Sequence, residues 1–147
     1  MLCCDIILTY EDNMISYSTR TAATALGIEE KSLDNILSRE ASWLERGGRQ
    51  GVSRRLTFES LFHLAVAFIL KRELGVPLSR GLELAIGIAG APLGAVPVGS
   101  IGTLQIDTTS LRSTLTRSLA AALEDASTPP RGRPARRTAR NEERGAS

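Results

Sequence analysis

The hydrophobic period along this chain changes several times, and each change marks an element. Residues 6–10 (IILTY) and 15–17 (ISY) are short β-favouring runs flanking the polar stretch Glu11-Asp12-Asn13-Met14, which predicts a small hairpin. From Ser18, a good N-cap residue, the period turns helical: Ala22, Ala23 and Leu26 share a face, and Gly27 ends the run. A second helix of about ten residues follows, with Leu33, Ile36 and Leu37 as its apolar face. Thr57 begins a third, in which every residue from Leu61 to Leu70 except His63 is apolar, a pattern that demands burial nearly all round. Lys71, Arg72 and Glu73 stop that run well short of the roughly 20 apolar residues a membrane span needs. It is therefore a core helix, closed by Gly75. Pro77-Leu78-Ser79 starts a further short helix through Leu82 and Ala85.

Residues 84–106 carry no charge. Gly87, Gly90, Gly94, Gly99, Gly102, Pro92 and Pro97 nevertheless exclude a membrane helix there, because they lower helix propensity and a lipid-exposed break leaves backbone groups unpaired. A buried linker with a hairpin near Gly99-Ser100 is expected instead. After Asp107, leucines recur at spacing four (Leu111, Leu115, Leu119, Leu123) on a helix ending near Ala126. Such a stripe calls for a partner, and a homodimer through this helix and the apolar helix around residues 61–70 is the expectation. From Ser127 onward no large apolar residue occurs, which reads as a disordered basic tail. The expected organisation is residues 1–86 as a first domain with an N-terminal hairpin, 87–128 as apolar linker, hairpin and dimerisation helix, and 129–147 as tail.

Composition sharpens this picture in two places. Aromatic residues make up 4% of the 147-residue chain, so the core must be built from Leu, Ile, Val and Ala, which suits helices. The formal net charge of +2 hides an uneven distribution. Residues 129–147 carry six Arg and two Glu, residues 1–45 eight acids and three bases, and residues 46–56 four Arg and no acid. The last of these also holds three glycines (Gly47, Gly48, Gly51), which predicts a flexible loop or hairpin with a positive rim. Cys3 and Cys4 are adjacent, a poor geometry for an ordinary disulfide, and residues 1–10 lack the pattern of a signal peptide. A cytoplasmic setting is expected, without a membrane.

Residues 19–36 hold the most informative spacing. Two helices that cross closely need a small residue at the crossing, a glycine able to take a left-handed turn and an apolar locking set. Ala23, Gly27 and the set Ala22, Leu26, Ile28, Leu33 and Ile36 supply them. Together with Arg54-Arg55-Leu56-Thr57-Phe58-Glu59-Ser60-Leu61 and Arg72-Glu73-Leu74-Gly75-Val76-Pro77-Leu78-Ser79, this stretch resembles the winged helix-turn-helix of the mercury-resistance-regulator (MerR) family over roughly residues 15–86. Where typical members have Leu-Arg-Tyr-Tyr in the second helix, this chain has Leu33-Asp34-Asn35-Ile36, a divergent recognition helix. The resemblance implies a mainly α fold with a small β component, duplex DNA recognition by the second helix, phosphate contacts from the wing, and a homodimer.

The expected DNA-binding residues are Thr19, Arg20, Lys31, Ser32, Asn35, Arg39, Arg49, Arg54 and Arg55. Asn35 has the groups to pair with adenine and Asp34 to accept from a cytosine amine. The wing carries most of the phosphate attraction, since the first 45 residues are acidic. Arg131, Arg133, Arg136, Arg137 and Arg140 of the tail add nonspecific affinity. No catalytic constellation stands out: His63 reads as a core residue, Trp43 as a packing anchor, and neither a metal nor a cofactor is expected. The protein is read as a transcriptional or phage-related regulator and not an enzyme; the alternative is a protein-interaction module, antitoxin-like or polymerase-binding, on the same scaffold.

Overall fold

Short extended segments precede both of the first capped helices. In the computed structural model, which describes residues 15–40 and 54–127, β1 (Ser16–Ser18) leads directly into α1 (Thr19–Leu26). Ser18 caps that helix, its Oγ accepting from the Thr21 N–H at 3.2 Å. Gly27 ends it at φ +70, where a side chain is disfavoured, and this lets the Ile28 N–H reach back to the Ala23 carbonyl at 3.0 Å. α2 (Glu30–Arg39) starts after that turn, with Leu33 and Leu37 buried beneath it.

β2 (Arg55–Thr57) pairs antiparallel with β1, placing Tyr17 opposite Leu56. Among the described residues β1 takes its partner from about forty residues downstream, while the expected N-terminal hairpin with residues 6–10 lies outside them. Register explains the choice, because this pairing buries Leu56 and packs Tyr17 against the same core. Thr57 caps α3 (Phe58–Leu74), its Oγ1 accepting from the Ser60 N–H at 3.3 Å. Seven residues of α3, from Leu61 to Leu70, are buried, as its apolar run requires.

α4 (Leu78–Gly90) is longer than its sequence suggests and runs unbroken through Gly87. A Cβ on Gly87 would lie 3.0 Å from Val96 Cγ1, so the missing side chain makes room for the strand that follows. β3 (Ala95–Val98) and β4 (Gly102–Gln105) form a second antiparallel hairpin turning at Gly99-Ser100, as expected. The segment is not a buried linker, however, for most of β4 is exposed and β3 is only half-covered. Asp107 then starts α5 (Thr108–Ser127), its carboxylate accepting from the Ser110 N–H (3.0 Å) and hydroxyl (2.8 Å). Those bonds hold the Asp107 carboxyl below its ordinary value.

The described residues are thus mainly helical, with two small two-stranded antiparallel sheets. Because α4 crosses residue 86 and α5 packs back on α1 and α3, both sides of the expected 86–87 boundary share one core, from Ala22 and Leu33 through Phe62 and Leu64 to Ile88, Leu115 and Leu119. The leucine stripe is corrected accordingly: Leu115 and Leu119 are buried in their own chain, Leu111 is half-buried, and only Leu123 stands largely open, at 47%. Each full leucine burial is worth about 1.5–3 kcal/mol, which holds α5 against α1 and α3. A bidentate pair pins the start of α5, Arg112 donating to both Glu59 oxygens at 2.6 and 3.0 Å while its guanidinium lies 4.2 Å from the Phe62 ring centre.

Candidate nucleic-acid interface

The face of α2 opposite its buried leucines is wholly polar. Lys31, Ser32, Asp34, Asn35, Ser38 and Arg39 are all exposed, with Asn35 near the middle. Local sequence dictates this, since Leu33 and Leu37 lie one turn apart with Ile36 beside them and so point Asp34 and Asn35 outward. α1 contributes exposed Arg20 and half-buried Thr19 at its start; Ala22 and Ala23 are fully enclosed and allow the two helices to meet.

The residue entering β2 brings an arginine to the same surface. Arg54 Nη1 donates to the Asp34 carbonyl at 3.4 Å and to Ser38 Oγ at 3.2 Å, so its side chain lies along the C-terminal half of α2. Arg55 is exposed. Arg49 lies outside the described residues, as do Cys3, Cys4, Trp43 and the tail arginines. Ser38 was not among the residues singled out by sequence: its link to Arg54 spans sixteen positions and depends on the β1–β2 pairing, which no local pattern reveals.

Charge along α2 is polarised. Glu29 and Glu30 occupy its N-terminal end, while Arg39, Arg54 and Arg55 gather toward its C-terminal half and the adjoining strand. Glu29 and Glu30 complement the helix dipole but repel a phosphate there, and the exposed Lys31 beside them offsets that only in part, so the arginine end offers a polyanion the stronger attraction.

Two other constellations fall away from this face. Glu59, His63 and Arg112 cluster where α3 and α5 meet: the Arg112 hydrogen bonds hold the Glu59 carboxyl below its ordinary value, and burial lowers the His63 imidazole. A cleft of about 570 Å³ opens between the end of α1, α3 and α5, lined by Leu26, Ile28, Phe68, Ile69 and Leu115, with Lys71 and Arg72 on its polar side. Among the described residues no group of three or more His, Cys, Asp or Glu is placed to hold a metal ion, and no helix is long and apolar enough to cross a membrane. No family model, curated protein or solved structure matches this chain.

Proposed function

We propose that the chain is a sequence-specific duplex DNA-binding protein of winged helix-turn-helix type, a transcriptional or phage-related regulator resembling the MerR family. The observation that carries this reading is the outward polar face of α2 with Arg54 laid along it: a helix of ten residues, packed on α1 across a glycine turn, offers Ser32, Asn35 and Arg39 on one stripe. A major groove about 12 Å wide admits such a helix. In this reading α2 enters the groove, Asn35 reads a base edge, and Lys31, Arg39, Arg54 and Arg55 neutralise phosphates, with Thr19 and Arg20 fixing the start of α1 against the backbone. Arg49 and the tail add charge alone. The chemistry is recognition, without a catalytic step or a cofactor.

A second reading, a protein-interaction module on the same scaffold that binds its partner through the apolar C-terminal part, draws on the exposure of Leu93 and Ile101. Salt separates the two. DNA affinity falls linearly with the logarithm of salt concentration, whereas an apolar protein interface responds weakly.

Anisotropy titrations on a duplex selected from a random pool, and on the unselected pool, test the DNA reading. Arg55→Ala makes the slope of log K against log salt shallower by about one, and the Arg54→Ala, Arg55→Ala double variant by up to about two, with equal losses on both DNAs. Asn35→Ala instead costs about 1–3 kcal/mol on the selected duplex and little on the pool. A double arginine variant with wild-type affinity and slope refutes the reading.

A further inference from the structure

We propose that β4 is the seam of a homodimer: its outer edge pairs antiparallel with the β4 of a second copy, joining two hairpins into one four-stranded sheet. This stands apart from the DNA-binding reading, and either can fail alone.

The hydrogen-bonding phase of the hairpin is fixed from two positions. Pro97 lies opposite Thr103 and has no N–H, so that pair cannot be one that exchanges backbone bonds. From the other end, the Ile106 N–H donates to the Gly94 carbonyl at 3.0 Å, which makes 94–106 a bonded pair and, by alternation, 95–105 and 97–103 unbonded ones. The N–H and C=O groups of Thr103 and Gln105 therefore point away from β3. Among the described residues nothing covers them. β3 is the strand that lies on α4, with Val96 against Gly87, and Gly102, Thr103 and Gln105 are exposed.

Open edges are ordinarily blunted by charge, proline or a bulge. β3 has Pro97; β4 (GTLQ) has neither charge nor proline, and no charge occurs anywhere in residues 84–106. A second copy is the occupant this surface fits. An antiparallel edge is self-complementary about a two-fold axis. Setting Thr103 opposite Gln105 of the second copy, and the reverse, pairs every outward backbone group of those residues. The same register brings Leu104 opposite its own copy, and Leu104 already packs against the core, so the new sheet extends a face that is apolar. Two uncharged hairpins approach without like-charge repulsion, while a charged partner finds nothing here to steer it. The leucine stripe of α5 does not compete for the role, because Leu115 and Leu119 are already buried.

Sedimentation velocity over a hundredfold concentration range tests the seam. The wild-type chain dimerises; Thr103→Pro, which removes an N–H that points away from β3, weakens the dimer at least tenfold and leaves thermal unfolding of the dilute protein unchanged; Leu123→Lys keeps the dimer. A wild-type chain monomeric throughout, a Thr103→Pro dimer of wild-type strength, or a dimer lost in Leu123→Lys overturns the proposal. Should Thr103→Pro not fold, amide exchange of the wild-type protein decides: the Thr103 and Gln105 amides are protected at high concentration and exchange freely on dilution, and free exchange at every concentration overturns the seam.

Discussion

Shortening Leu119 to alanine separates a leucine stripe that serves its own chain from one that awaits a partner. Leu119 is 1% exposed and belongs to the continuous core, whereas Leu123, one turn further along α5, is 47% exposed. Removing most of a buried leucine side chain forfeits roughly 2–2.5 kcal/mol of transfer free energy at about 0.8 kcal/mol per carbon, and the cavity left against α1 and α3 adds to that, within the usual span of about 2–5 kcal/mol. Leu119→Ala should therefore lose about 3 kcal/mol, and Leu123→Ala less than about 1 kcal/mol because half of its surface is already wet. Urea unfolding followed by circular dichroism measures both, with a lower midpoint and an unchanged slope expected for Leu119→Ala. The difference between the two variants should not depend on protein concentration. Equal losses at the two positions, or a Leu123 loss that grows with concentration, would show that the stripe is buried between subunits and that α5 has been misplaced.

Two more outcomes follow from packing and charge. Glu59→Gln should lower stability modestly at neutral pH, by no more than about 1 kcal/mol for so exposed a pair. Because the folded-state carboxyl is depressed, its stabilisation is present above the ordinary carboxylate range near pH 4.5 and is lost as pH falls through the folded value, so wild type and variant should converge in acid thermal melts. A gap that widens in acid would contradict the assignment. Gly81→Ala should cost about 1 kcal/mol although alanine favours helix, since its Cβ would meet the Ala67 carbonyl oxygen at 3.2 Å and its Cα at 3.3 Å where α3 and α4 cross. Gly90→Ala, with nothing within 4 Å, should be neutral or stabilising by up to about 1 kcal/mol; thermal melts that rank the two alike would remove the crowding argument.

The candidate interface was only half legible in the chain. α2 and its outward residues follow from the positions of Leu33 and Leu37, because a helix of known period leaves no choice about which side chains face out. Arg54 is different. Sequence gives its charge and its place in a basic loop, but its contacts with the Asp34 carbonyl and Ser38 exist only because β1 and β2 pair. Those two bonds tie the segment before β2 to the exposed side of α2.

Local chemistry was sufficient wherever a short-range rule acts. Ser18, Thr57 and Asp107 start their helices by capping, Gly27 and Gly75 end theirs with positive φ, and the turn at Gly99-Ser100 reverses the chain, all within a few residues and all visible in order of sequence. Tertiary structure decided which surfaces meet. The same spacing-four leucines suit an intramolecular groove or a second subunit equally well, and in the folded chain α5 packs on α1 and α3 and buries Leu115 and Leu119 in one core with Ala22 and Ala23. The glycines after Leu84 read as breakers because propensity counts what glycine lacks; in the folded chain the space above Gly87 is filled by Val96, and packing outweighs the penalty. Periodicity fixes a helix's apolar side, but only the neighbours that reach it first decide whether that side still has anything left to bind.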